Sequence, residues 1–203
     1  MNSAVQARRT NPHAPSPVAP ATGKKIYAGK KFRAGTVFLT ANTYKRIPLF
    51  REAVLCKAFF RELDFYRAKY EFKLHAYALI PDHFHLLIRF PPDRNLGDLL
   101  RDFKSALGKF IVDWAKTHGR QRLLARLKLP HPPARRKDAS YRALQENSHV
   151  KLVDSSAMFK QKLDYVHANP LREGLVEKAI DYPYSSLRNY ELGEGFIAID
   201  PPE

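Results

Sequence analysis

The chain has 203 residues, of which 44% are hydrophobic, and its 35 Lys and Arg against 20 Asp and Glu give a formal net charge of +15. That size suits one well-buried domain and a tail, and no apolar run is long enough for a bilayer span or a signal peptide, so a soluble, intracellular protein is expected. A single cysteine, Cys56, excludes an internal disulfide or a thiolate zinc site, and beside Leu55 and Phe59 it reads as a small buried hydrophobe.

Residues 1–35 carry Arg8, Arg9, Lys24, Lys25, Lys30, Lys31 and Arg33 and no acid. Rich in proline and without apolar periodicity, residues 1–32 are read as a disordered basic arm ahead of a single domain over 33–200. Thr36 to Thr40, β-branched and aromatic, is a first strand. From Leu49 to Tyr70 the residues Leu55, Phe59, Leu63 and Tyr66 recur at helical spacing. Phe72 to Ile80 and His83 to Phe90 are two strands joined by only Pro81 and Asp82, which makes a hairpin. Leu96, Leu99, Leu100, Phe103, Leu107, Phe110, Ile111 and Trp114 form one apolar stripe, a second helix with Asn95 to cap its start and Gly119 after its end.

Residues 119–138 then read as a basic loop: Arg120, Arg122, Arg126, Lys128, Arg135, Arg136 and Lys137 precede its first acid, Asp138. Residues 1–35 and 119–137, each with seven positive charges and no acid, together account for 14 of the 15 net charges. Cationic segments on a nearly neutral globule suit a polyanion, because each neutralised phosphate releases counterions. A solubilising tail is the alternative for residues 1–25, and a membrane surface is disfavoured because no strongly apolar helical face accompanies the charge. Tyr141 to Val153 is a further strand or hairpin, and Ser155 to about Asn169 a third helix. The order strand, helix, strand, strand, helix, strand predicts an α+β, ferredoxin-like sandwich with an antiparallel sheet, two helices on one face and the other face free for a site.

Alternation along His83 to Phe90 turns Phe84, Leu86, Ile88 and Phe90 toward the helices and His83, His85, Leu87 and Arg89 to the opposite face. Two imidazoles side by side can bind one cation through neutral nitrogens, or can simply be surface histidines at a strand end. In the third helix Tyr165 and Asn169 are four apart, so a phenol and a carboxamide share a face, with Lys162 one turn earlier. Pro170 is expected to place Asn169 at a kink or helix end. If this helix crosses the open face, Asn169 completes a His-His-Asn shell and Tyr165 meets a polarised phosphate. Otherwise Tyr165 packs as an amphipathic residue and Asn169 caps the helix. His75, His149 and His167 are assigned structural roles.

The run Ala78-Leu79-Ile80-Pro81-Asp82-His83-Phe84-His85-Leu86-Leu87 resembles the His-hydrophobic-His signature of single-tyrosine HUH transposases. The run Leu163 to Val176, with Tyr165-Val166-His167-Ala168-Asn169-Pro170 at its heart, and the later Asp181-Tyr182-Pro183-Tyr184-Ser185-Ser186 resemble the REP-associated tyrosine transposase branch, over roughly residues 33–200. The resemblance implies a DNA-strand endonuclease and transferase in which Tyr165 is the nucleophile and His83, His85 and Asn169 hold Mg²⁺ or Mn²⁺. It implies a 5′-phosphotyrosine intermediate and single-stranded or hairpin DNA as partner. A bacterial, nucleoid-associated cytoplasmic protein is expected from it, with a monomer favoured over a homodimer. Arg89, Lys162, Arg120, Arg122, Arg126, Arg135, Arg136 and Lys137 are the expected DNA contacts. Two departures are Leu144-Gln145 where the family often has tryptophan before glutamine, with Tyr141 a substitute aromatic, and Tyr184 where tryptophan is common. The rival readings are a non-catalytic nucleic-acid module on the same fold and a phosphoesterase that uses water, for which neither motif offers a carboxylate on its expected face.

Overall fold

The computed structural model describes residues 25–26, 34–130 and 140–202. The remainder of the basic arm, and Arg135, Arg136 and Lys137 of the basic loop, lie outside the described residues. Five strands make one antiparallel sheet: β1 (Lys25–Ile26), β2 (Gly35–Thr43), β3 (Lys73–Ile80), β4 (His83–Phe90) and β5 (Leu144–Val153), in the spatial order β1-β5-β2-β4-β3. Helix α1 (Ala53–Tyr70) connects β2 to β3, and α2 (Leu96–Thr117) lies between β4 and β5. Without the two-residue β1, this is the ferredoxin-like α+β sandwich that the order of elements predicts. None of the described helices is long and apolar enough to cross a membrane.

One face of the sheet is closed by α1 and α2. Val37, Leu39, Leu74, Leu79, Phe84, Leu86, Ile88 and Phe90 from the strands share a core with Leu55, Phe59, Phe60 and Leu63 of α1 and Leu99, Phe103, Leu107 and Ile111 of α2. Each side chain of this size removed from water contributes about 1.5–3 kcal/mol, so this face dominates the hydrophobic stabilisation. Phe84 is fully buried in it, edge-on to Phe59 and Phe103 at 4.9 and 5.8 Å between ring centres. Helix α2 starts where Asn95 Oδ1 accepts the Gly97 amide at 2.8 Å.

Two local expectations change. The segment read as a basic loop contains helix α3 (Gln121–Leu127), because Leu124 and Leu127 are buried in the main core with Leu123 packed against it. The cationic residues between those leucines hide an apolar stripe at helical spacing. The third predicted helix, α4 (Ser156–Arg172), does not end or break at Asn169 but runs on through Pro170. A proline in the last turn forfeits one internal hydrogen bond, and the end is closed by the Glu173 amide donating to Asn169 O at 2.9 Å and the Leu175 amide to Pro170 O at 3.0 Å. Gly174, at φ +67°, supplies the left-handed residue of that closure. The start of α4 is capped by Ser155, whose Oγ accepts the Met158 amide.

Helix α4 covers the face that α1 and α2 leave open. A second, smaller apolar cluster holds it there: Val166 of α4 against Phe38, Ala76, Ala78, Ile80 and Leu87, with Tyr182 alongside. The Tyr182-Pro183-Tyr184-Ser185-Ser186 run then pairs with the edge strand β3. The Leu79 amide donates to Tyr184 O and the Ser186 amide to Tyr77 O, each at 2.9 Å, while Ser186 Oγ accepts the Tyr77 amide at 3.0 Å. These contacts satisfy backbone groups that an exposed edge would leave to solvent. A short helix, α5 (Leu187–Leu192), follows. Because the buried Tyr182 hydroxyl donates to Leu79 O at 2.7 Å, Tyr182→Phe should lower unfolding stability by about 1–3 kcal/mol in urea titrations; unchanged stability would remove this anchor from the account.

Candidate active site

Strand register brings the histidines into a defined row. Ala78, His85, Thr40 and His149 lie directly opposite one another across β3, β4, β2 and β5, so they share the face under α4; His83 lies one row away, opposite Asn42 and Ile80. His83 and His85 are both buried, at 4% and 3% exposure, with ring centres 4.9 Å apart.

Each ring is fixed through Nδ1. His83 Nδ1 donates to Asp82 Oδ1 at 2.7 Å, and His85 Nδ1 is hydrogen-bonded with Thr40 Oγ1 at 2.8 Å. Asp82 is held in turn by Arg46, whose Nε lies 2.8 Å from Asp82 Oδ2 and whose guanidinium also donates to Asn42 Oδ1 at 2.7 Å. Arg46 reaches this position from a left-handed backbone, φ +55°, directly after Lys45 at φ +52°. Two such residues in succession cost roughly 1–2 kcal/mol each. The turn is held by the Thr43 amide donating to Asp82 O at 2.9 Å and the Thr43 hydroxyl donating to Ile47 O at 2.7 Å.

Burial, followed by the nearby His83 and Arg46, pushes His85 down to about 3, so this imidazole is neutral at ordinary pH. Its Nε2 is buried and has no hydrogen-bond partner among the described residues, and the same holds for Asn169 Oδ1. Buried polar atoms are seldom left unpaired without a reason. The third such atom, Ser148 Oγ, lies opposite Ala41 and so on the other face of the sheet.

Helix α4 brings the phenol to the same place. The Tyr165 ring stands edge-on to His85 at 5.3 Å and to Phe38 at 5.7 Å, and Phe38 stacks on His85 at 5.3 Å. Asn169 follows one turn later, 2% exposed. The structure therefore gathers His83, His85 and Tyr165, with Asn169 on the same helix under the same cover. The donor set suits a divalent cation: two imidazoles fixed through Nδ1, and a carboxamide oxygen with no partner among the described residues. Among the described residues no three His, Cys, Asp or Glu side chains gather as a metal set, so the carboxamide would have to serve as third donor.

The other residues singled out by sequence fall in three places. Lys162 is buried beside Phe38 and Tyr165, with its ammonium 5.3 and 6.0 Å from the two ring centres. Arg89 is exposed at the far end of β4. Arg120, Arg122 and Arg126 line a cleft of about 480 Å³ between α3, the C-terminal end of α2 and the turn after Arg46, over an apolar floor that includes Leu55 and Trp114. Arg120 is already engaged there, 3.2 Å from Glu52 and 5.3 Å above the Trp114 ring. Of the remaining histidines, His167 Nε2 is hydrogen-bonded with Ser186 Oγ at 3.0 Å and His75 Nδ1 with Asp200 O at 3.1 Å, while His149 is exposed. Tyr141 packs at the edge of the main core under Lys116.

Four residues that position the site went unnoticed in the sequence. Thr40 could have been found by pairing the first strand with the histidine strand. Asp82 sits in the two-residue turn, where its sequence position signals only a turn residue. Arg46 carries no local signal. Arg172, whose guanidinium carbon lies 5.1 Å from the Tyr165 ring centre, stands in the quoted motif without a role.

Residues 36–124 match the family described as transposase IS200-like. Over that span the chain is similar to IS200-like transposases. The matched span includes Thr40, Asp82, His83 and His85 and ends before α4, so Tyr165 and Asn169 lie outside it. Among solved structures, a REP-associated tyrosine transposase bound to a REP hairpin superposes with a TM-score of 0.59 at 17% identity, covering 86% of this chain and 91% of that one. The two share a fold over most of their length. A Deinococcus radiodurans R1 protein whose proposed role is transposase gives a TM-score of 0.41 at 19% identity, over 68% of this chain and 92% of that one. No curated protein matches the sequence. Within the IS200-like segment Asp82 holds the His83 tautomer, so Asp82→Ala should weaken Mn²⁺ binding to the histidine pair by about 10–100-fold in titration calorimetry; unaltered affinity would mean that the carboxylate does not orient a ligand.

Proposed function

We propose that this protein is a metal-dependent endonuclease and strand transferase for single-stranded DNA next to a hairpin, with Tyr165 as its nucleophile. The observation that carries the reading is the Tyr165 ring edge-on to His85, 5.3 Å away, where His85 Nε2 is buried without a partner among the described residues. The IS200-like match supports the transposase class.

When bound, Mg²⁺ or Mn²⁺ would supply Lewis-acid polarisation of the scissile phosphate, and His83, His85 and Asn169 are the residues that would hold it. Thr40 and Asp82 keep the two rings turned so that each Nε2 faces away from its Nδ1 partner. Tyr165 presents its oxygen from a helix clamped to the sheet, which lowers the entropy cost of attack. In the reaction the Tyr165 oxygen forms a bond to phosphorus as the bond from phosphorus to the 3′-oxygen breaks. The phenol gives up its proton and the departing 3′-oxygen takes one up. The 5′-phosphotyrosine keeps the phosphodiester bond energy for rejoining to another 3′-hydroxyl.

A phosphate inside a regular duplex is hard for a helix-borne tyrosine to reach, which favours unpaired DNA. The structural relative is described as bound to a REP hairpin, and hairpin DNA is the natural substrate to try here. Arg122 and Arg126 at the cleft lip and Arg89 on the sheet are suited to follow the backbone. The proposed active unit is a monomer, with Tyr165 and the histidines supplied by one chain.

The rival classes fit less well. A stacking module needs an accessible sheet face, and here that face is covered by α4. A phosphoesterase using water needs a free general base, whereas Asp82, the carboxylate next to His83, is engaged by Arg46 and His83. Tyr165→Phe should abolish cutting of a labelled hairpin-plus-tail oligonucleotide while leaving its affinity little changed in gel-shift titrations. The double variant His83→Ala, His85→Ala should lose both activity and its stimulation by Mn²⁺. Undiminished cutting by the Tyr165 variant would sink the nucleophile assignment.

A further inference from the structure

Among the described residues, Lys104 and Lys162 both have ammonium groups partly withdrawn from water, and they are held in different ways. Lys104 is desolvated, which pulls its ammonium down to about 8, and it donates to Gln145 O at 3.0 Å and Glu146 O at 2.9 Å. Those two carbonyls make it a structural tie between α2 and β5. Lys162 is 7% exposed, yet among the described residues no hydrogen bond or ion pair engages its ammonium, and its contacts are the faces of Phe38 and Tyr165. A further cation, Lys151, sits opposite Phe38 on the same sheet face, and burial together with Lys151 pulls the Lys162 ammonium below its ordinary value. Arg172 completes the group from the other side of the phenol, its guanidinium carbon 5.1 Å from the Tyr165 ring centre.

A buried cation beside other cations is costly unless an anion joins it. The sequence spacing explains the geometry. Lys162 is three residues before Tyr165 and Arg172 seven after it, so both lie along the Tyr165 side of α4. Cation–π contacts recover part of the lost hydration but give an ammonium no acceptor atom.

We propose that Lys162 and Arg172 form a phosphodiester-binding site that brackets Tyr165, the Lys162 ammonium pairing with a non-bridging phosphate oxygen of the DNA strand once it is bound. The site is separate from the His83, His85 and Asn169 donors. It rests on the nuclease reading for its role: it draws the phosphate toward the phenol and offsets negative charge on the Tyr165 oxygen as the phosphotyrosine bond forms and, on rejoining, breaks. Among the described residues no anion stands beside the Lys162 ammonium while Lys151 and Arg172 share its surroundings, so stability and function should move in opposite directions when the charge is removed.

Lys162→Met keeps an unbranched stem of similar length against Phe38 and deletes the ammonium. Its melting temperature in metal-free, phosphate-free buffer should rise by about 2–4 °C, the shift typical of a small gain in a domain of this size, while single-turnover cleavage in Mn²⁺ should fall by about 100-fold or more. Lys162→Arg should recover part of the rate, and Mn²⁺ affinity should be the same in all three proteins. A short single-stranded oligonucleotide without added metal should raise the melting temperature of wild type and not of Lys162→Met. A variant that melts lower than wild type and cuts at the wild-type rate would assign Lys162 to packing and overturn the proposal. Should wild type fail to cut any DNA, the nuclease reading falls, and the metal-free melting shifts still decide this site: equal stabilisation of both proteins by the oligonucleotide, or of neither, overturns it.

Discussion

The arrangement depends on the docking of α4 on the sheet face opposite α1 and α2. That contact is small. Val166 and a few neighbours meet Phe38, Leu87 and the alanines of β3, whereas the other face carries the aromatic bulk of the core. The small residues matter for this contact: Ala76 and Ala78 let the helix approach the sheet closely, so Tyr165 and Asn169 come down over β4. The Tyr182 to Ser186 run then fastens the same helix to β3, since Ser186 bonds both the Tyr77 amide and His167. Hydrophobic burial positions the tyrosine, and a few directional hydrogen bonds keep it from sliding.

The two faces are built on opposite principles. On the helix-covered side nearly every group is apolar and fully packed. Beneath α4 polar atoms are left open: the Nδ1 atoms of both histidines are engaged, while His85 Nε2 and Asn169 Oδ1 are buried and have no partner among the described residues. Left-handed backbone at Lys45 and Arg46 adds local strain at the same end of the sheet. Stability is given up at one place on the molecule, as expected where a site must accept charged ligands.

Much of this was legible in the sequence, and the limits have physical causes. The histidine strand, the two-residue hairpin and the long stripe of α2 follow from periodicity alone, and alternation along His83 to Phe90 separated Phe84 from the histidines correctly. Helix α3 is hard to read from sequence because it is only seven residues long and its leucines, Leu123, Leu124 and Leu127, are set among arginines. The run of α4 past Asn169 was missed because proline is a weak stop signal within a last turn. Thr40 and Arg46 act through contacts between separate segments, 45 residues apart for Thr40 and His85, and such pairs follow only from the folded arrangement, whereas Asp82 bonds its own neighbour His83 and is held for that role by Arg46. The Tyr182 to Ser186 run was legible as a pattern and silent as to role, since only the sheet edge it pairs with explains its spacing.

The central claim is that the Tyr165 oxygen becomes covalently joined to DNA. The most direct measurement is peptide mapping by mass spectrometry after incubation with Mn²⁺ and a single-stranded hairpin oligonucleotide whose 3′ fragment is short enough to remain attached. The account predicts a nucleotide adduct on the peptide containing Tyr165, absent when Mn²⁺ is withheld. Cleaved DNA with no protein adduct, or an adduct on another residue, would contradict it.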